Sequence, residues 1–410
     1  MKLKYIPSLA LGVAVLSTLC LTVQAGTAGL IVHEWGTFTS FQGGDGKLLA
    51  WQPLTLSRLP DFVYNWSRPG FAGASGALAG GVGKFTLMAL QRLETPVVYF
   101  YSDKQQKVDL NVNFPDGWIT EWFPRADSVS RVAEEGRICW SNLTLIHAGR
   151  TGDLPTHAAA ANDPYFAARD TDSDLVRVSA TNELEKFLFY RGAGNFTTPL
   201  RVTMKNSFSI TLANDGNEPL SHLFLLEVHN HDGNFIPIDA LRPGEERTLV
   251  PPSATKLGLR SGDELDLAIG NSVAAALMQS GLYPREAQAM VNTWKDLWFR
   301  ENGLRVLFVL PRTWTDRVLP MTLKPVPREL TRVMVGRAEV LSPGLEEKLT
   351  RQITEAKEGD PAADARVCET LKSLGRFAEP AFIRAVTAAK LQADEQVKMF
   401  GLLHKATAFE

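Results

Sequence analysis

The sequence predicts an α+β protein: an N-terminal all-β, sandwich-like domain, then a smaller α+β domain and a helical C-terminal tail. Three observations carry this. From Gly29 to about Pro252, β-branched and aromatic residues recur with a period of two in short runs broken by Gly, Asn, Asp and Pro, the pattern of half-buried strands joined by turns. After Ala254 the period becomes helical, and Ala287, Met290, Val291, Trp294, Leu297 and Trp298 share one face of segment 284–300. Beyond Pro343, four helix-length segments follow, several opened by an Asp or Ser and a proline, which is start chemistry for helices. The expected divisions are 1–25, 26–253, 254–341 and 342–410.

The first division is a leader. Lys2 and Lys4 precede an apolar run from Ile6 to Val23, and Val23-Gln24-Ala25 supplies the small residues of a signal-peptidase site. The chain is therefore expected to be exported to the periplasm or beyond and clipped after Ala25. A retained anchor is the rival reading, since the run approaches the ~20 residues that cross a bilayer. Pro7, Ser8, Gly12, Ser17 and Thr18 weaken it, and Leu19 ahead of Cys20 is not the small residue of a lipoprotein site. No later stretch is long and apolar enough to span, so no transmembrane segment is expected after cleavage. Losing Cys20 leaves Cys139 and Cys368 as one possible disulfide pair, and their separation in sequence leaves their pairing open.

Among the strands, 30–41 and 47–53 flank Gln42-Gly43-Gly44-Asp45-Gly46, a hairpin signal. Segments 96–102, 107–114 and 118–123 read as a meander, and 186–190, 200–204, 208–212, 223–228 and 248–250 continue the strand spacing of a sandwich or open barrel. Two stretches interrupt: a Gly/Ala-rich loop at 71–83 running into a helix at 84–93, and a polar excursion at 153–174. In the second half, helices are expected at 272–280 and 284–300, strands at 305–310, 318–323 and 332–340, and tail helices at 343–357, 361–374, 380–391 and 394–406. These last helices are too short to stand alone, so they dock on the body or bundle together.

Composition narrows the function. The formal net charge is −2 with basic residues dispersed, which argues against a nucleic-acid partner or an anionic membrane surface. Segment 80–84 resembles a phosphate loop only superficially, because Leu78 and Phe85 stand where glycine and Ser or Thr are required. No serine lies in a Gly-x-Ser-x-Gly elbow, and Cys139 sits in an apolar strand.

The residues Val32-His33-Glu34-Trp35-Gly36-Thr37-Phe38-Thr39-Ser40, with Phe189-Tyr190-Arg191-Gly192 and Val335-Gly336-Arg337 further on, resemble a family of exported bacterial proteins that carry a His-Glu-Trp-Gly-Thr-Phe-Thr motif just after the signal. The resemblance implies export and supplies no catalytic role. His33 and Glu34 are adjacent in a predicted strand and so face opposite sides. Only one of them is expected to face the core: His33 is either a satisfied histidine or a metal ligand, and Glu34 either a solvated or capped carboxylate or a general base.

His229-Asn230-His231-Asp232-Gly233 gives the strongest local metal pattern. Two imidazoles at i and i+2 on one strand face can bind a divalent transition metal, with Asp232 as base or further ligand. The same residues are good hairpin-turn chemistry. His147 and His157 are spare ligands. Asp170-Thr171-Asp172-Ser173-Asp174 imitates a calcium loop, but Leu175 and Thr181 exclude an EF-hand. Arg191, after an aromatic run, is a candidate clamp for a carboxylate ligand, or else a structural ion-pair partner. Trp35, one of nine tryptophans most of which should be core, is a candidate for a ligand-binding face that would take a sugar. The functional expectation is a noncatalytic protein that binds a small molecule or an envelope component. The alternative is a metal-dependent hydrolase or oxidoreductase built on the His-x-His pair.

Overall fold

The computed structural model describes residues 27–53, 59–70, 88–130, 135–147, 154–156, 163–255, 258–357 and 359–407. The leader, the Gly/Ala-rich loop, the phosphate-loop look-alike and His157 lie outside them. The protein is mixed α and β, with a sheet-rich N-terminal region and helices at its C-terminal end. No described helix is long and apolar enough to cross a membrane.

A nine-stranded sheet forms the centre. Its order is Asp232–Leu241, Leu220–His229, Gly303–Val309, Pro327–Leu341, Thr27–Gly43, Gln91–Tyr101, Leu188–Gly194, Gly117–Phe123 and Tyr64–Asn65. The leading strand, Thr27–Gly43, runs parallel to the closing strand, Pro327–Leu341, and antiparallel to Gln91–Tyr101. Strands from both sides of the expected 253/254 division thus interleave in one sheet, and no break in the sheet falls there.

Alternation along the leading strand assigns the layers. Leu30, Val32 and Phe38 enter a core shared with Val108, Leu110, Val112 and Phe114. Those partners belong to a six-stranded sheet, and a three-stranded sheet around Leu200–Asn206 completes that layer. Trp35 points the other way, into a second core with Tyr99, Phe189 and Val335, roofed by helices Gly262–Gln279 and Pro284–Lys295. A third core joins the tail helices to Phe41, Trp51 and Leu341 at one end of the sheet. Phe41 stacks on Phe377 at 4.8 Å. Each such anchor contributes about 1.5–3 kcal/mol on burial, so the tail both bundles and docks.

Several local expectations are revised. Segments 96–123 make no meander: Gln91–Tyr101 and Gly117–Phe123 lie in the large sheet, whereas Gln106–Phe114 between them crosses to the six-stranded one. The helix expected at 84–93 is strand from Gln91 onward, because Leu93 enters the first core while Arg92 and Glu94 are held on the opposite face. Strand Asp232–Leu241 was not expected; it is an edge strand carrying Pro237, and edge strands tolerate proline and polar residues. The first long helix starts earlier than expected, at Gly262, where Ser261 and Glu264 form a capping box. Segment 284–300 leaves α geometry at Lys295 and finishes as a π-turn over Asp296–Arg300. Helices Pro343–Lys357 and Pro361–Leu374 match the sequence reading. Cys139 and Cys368 are both free thiols; Cys139 contacts Asn111 Oδ1 at 3.0 Å.

Candidate functional site

The motif's His33 and Glu34 diverge to opposite faces of the leading strand, as alternation requires. Glu34 lies between the sheets, where Oε2 accepts from Arg332 Nε and Oε1 from the Tyr190 hydroxyl, both at 2.5 Å. Arg332 is its register partner on the closing strand and donates onward to Asp316 and to the Leu319 carbonyl. Burial first, then the Glu34 charge, pushes the Tyr190 phenol well above its ordinary range. Glu34 is thus a buried ion-pair partner with both oxygens engaged, which removes it as a general base.

His33 faces the helices. Its Nδ1 lies 2.8 Å from Glu286 Oε2, and Glu286 also accepts from the Tyr101 hydroxyl at 2.6 Å and the Tyr283 amide at 2.8 Å. The imidazole packs 4.4 Å from the Tyr283 ring, and its Nε2 stands 3.7 Å from Glu329. Glu286 entered no sequence argument, although Tyr283-x-x-Glu286 places it at the capping position of its helix.

The metal reading of His229 and His231 is corrected by the backbone. His229 pairs with Asp232 across a two-residue turn in which Asn230 has φ 50° and His231 φ 72°, the geometry of a type I′ hairpin. The chain reverses between the two histidines, so they share no strand face. His229 instead contacts Glu227 at 3.1 Å, which raises its imidazole pKa. Asp232 opens the returning strand at the exposed hairpin end. In sheet register this end lies level with Gly43, ten residues beyond His33 on the leading strand. At ~3.3 Å per residue the separation is roughly 30 Å, so His33 cannot join a site there. Among the described residues, no three His, Cys, Asp or Glu side chains cluster as a metal site would need. The calcium-like carboxylates are also dispersed: Asp170 and Asp172 pair with Arg285, and Asp174 with His147 at 3.0 Å.

Trp35 is a core residue, fully buried near Tyr99, which removes it from any ligand-binding face. Arg191 lies in a buried belt of charge between the second and third cores. Around it Arg92 holds Glu121 at 3.2 Å, Arg376 holds Glu94 at 2.8 Å, and Arg191 itself donates to Thr95 at 3.2 Å. The belt continues through Arg337, which bridges Glu301 and Glu339, and Arg305, which grips Glu339 side-on. Burial, with repulsion from Arg92, lowers the Arg191 pKa to about 10.

Glu94 is 5% exposed. Burial pushes its pKa up, but the charges of Arg376 and Arg191, the Thr39 hydroxyl and Arg92 outweigh that and bring it to about 2. The unfolded chain therefore takes up this proton more readily than the folded one. Its stabilisation is complete above about pH 4.5 and lost as the pH falls toward about 2, on the order of 3 kcal/mol in all. Urea midpoints taken through that window are expected to converge for wild type and Glu94→Gln; a constant gap between them would contradict the assignment.

The described surface also holds a cavity of about 340 Å³ where the leading strand, the 197–201 and 215–218 segments and helix Arg312–Val318 meet. Trp314, Leu200 and Pro199 supply apolar lining, and Arg201, Asp215, Asn217, Glu218 and Arg317 polar lining. Gln42 is 1% exposed and lines it. Its Oε1 accepts from the Val202 amide at 3.2 Å, while its amide nitrogen has no partner among the described residues. Sequence reasoning placed Gln42 only in a turn.

No family model matches the chain, and no curated protein does. Among solved structures, the yeast delta-COP-I mu-homology domain is matched at 10% identity and a TM-score of 0.26, over 77% of this chain and 96% of that one. The same domain complexed with a Dsl1 WxWxV peptide gives the same identity and TM-score. A likeness this slight supports neither a fold nor a functional assignment.

Proposed function

We propose that this is an exported protein, periplasmic or extracellular after loss of residues 1–25, that binds a small polar molecule without transforming it. The motif resemblance and the leader support the address. The observation that carries binding is the Gln42 cavity: its volume falls in the range of small-molecule sites, and its mixed polar and apolar lining includes a residue, Gln42, whose buried amide donor has no partner among the described residues. A buried donor of that kind costs about 1–3 kcal/mol unless something accepts from it, so the favoured ligand carries an oxygen acceptor for Gln42. The metal-dependent alternative needs His229 and His231 on one face, and the hairpin turn separates them.

The test uses protein recovered from an exporting bacterial host, with its first residue sequenced and its native mass recorded against a metabolite library. The expected result is a chain beginning at Gly26 that binds a neutral, oxygen-rich compound. Affinity is expected to fall tenfold or more in Gln42→Glu, which keeps the acceptor for Val202 but loses the donor. A cytosolic chain beginning at Met1 would overturn the address, and unchanged affinity in Gln42→Glu would overturn the site.

A further inference from the structure

We propose that the buried charge belt is a second binding site, which holds an oxyanion, a carboxylate or phosphate group, on the side edge of Arg376. The short turn Gly375–Phe377 in the tail presses Arg376 against the sheet, where its Nη1 donates to Glu94. That contact uses one terminal nitrogen. The Nε and Nη2 groups, which together form the parallel pair that a guanidinium offers in a bidentate fork, have no hydrogen-bond partner among the described residues. The side chain is only 10% exposed. A buried charged donor in that state is more costly than a neutral one, and an oxyanion relieves both groups at once.

The surroundings point to the same ligand charge. Arg337 Nη1, the Thr37 hydroxyl and Trp51 Nε1 are likewise buried without a hydrogen-bond partner, and each can donate. Arg376 and Arg337 lie 5.1 Å and 5.8 Å from the Phe377 ring, and Arg376 lies 5.4 Å from the Trp51 ring. Both arginines act on Glu301, which is held below the usual carboxylate range against the effect of its burial. Glu301 is one-third exposed, so the belt reaches solvent there. The belt's own carboxylates, Glu94, Glu121, Glu301 and Glu339, each already face an arginine. What remains is a set of donors. The belt shares no residue with the Gln42 cavity, so the two proposals succeed or fail separately.

The test follows thermal unfolding and calorimetric titration of the folded full-length chain at fixed ionic strength, with chloride replaced by inorganic phosphate, sulfate, acetate or succinate. A ligand that binds only the folded state raises the melting temperature with concentration. The expected result is a saturable rise with at least one oxyanion over chloride, the phosphate and carboxylate arms identifying the preferred group. Arg376→Gln is expected to abolish that rise. Arg376→Lys keeps the charge facing Glu94 but lacks the fork, and is expected to bind tenfold or more weakly while remaining folded. No oxyanion response beyond chloride would reduce the belt to a structural ion network and overturn the proposal. Wild-type affinity in Arg376→Lys would overturn it as well, even if Arg376→Gln failed to fold.

Discussion

Glu34→Gln is expected to destabilise the fold by about 3–5 kcal/mol, read as a large drop in the urea midpoint at neutral pH. Removing one partner of a buried ion pair leaves the other charge without compensation, and Arg332 is fully buried at its side chain. The glutamine keeps a carbonyl to accept from Arg332 Nε or Tyr190 but supplies no negative charge. The nearest other carboxylate to the guanidinium, Asp316, is nearly half exposed and is therefore screened. The double replacement Glu34→Leu, Arg332→Met removes both charges and is expected to recover part of the loss, because the pair's desolvation cost disappears with it. A midpoint for Glu34→Gln within about 0.5 kcal/mol of wild type, the range of an ordinary surface change, would refute this account. The motif's glutamate would then have to be explained by something other than stability.

Gly336→Ala is expected to cost about 3 kcal/mol or more, or to leave the protein insoluble. Gly336 stands beside Phe308 on one side and Phe38 on the other in the sheet register. A Cβ at that position falls onto the ring edge of Phe308, overlapping Cζ and Cε1. Phe308 is itself buried in the first core, so close packing leaves the ring nowhere to move. Gly336→Ala combined with Phe308→Leu is expected to be more stable than Gly336→Ala alone, a non-additivity that identifies the ring as the obstacle. If the single variant melts with wild type, the steric reading is wrong. The glycine in Val335-Gly336-Arg337 is on this account a packing requirement, and Arg337 beside it belongs to the charge belt.

The tail was readable because each of its helices announces itself locally: Pro343 and Pro361 sit in first turns, and Asp360 caps its helix through the Ala362 amide. The opposed faces of His33 and Glu34 followed from alternation alone. The sheet's order was not readable, since a period of two says which residues turn inward and not which strand lies alongside. Glu34 and Arg332 are 298 positions apart, and nothing local to either names the other. His229 and His231 misled because a polar turn and a metal pair ask for the same residue types; the positive φ angles decided it. Arg376 was invisible for the opposite reason, being one arginine in a Gly-Arg-Phe turn whose role depends on Glu94, far earlier in the chain.

The parallel pairing of the first and last long strands also sets the order of events when the chain is made. The leading strand occupies the middle of the large sheet, and one of its two neighbours is not synthesised until residue 341 has emerged. Pairing across such a span is slow because the intervening chain must be gathered first. A polypeptide emerging from its amino end therefore cannot complete the large sheet until nearly all of it has appeared, and until then the leading strand keeps one edge without its neighbour.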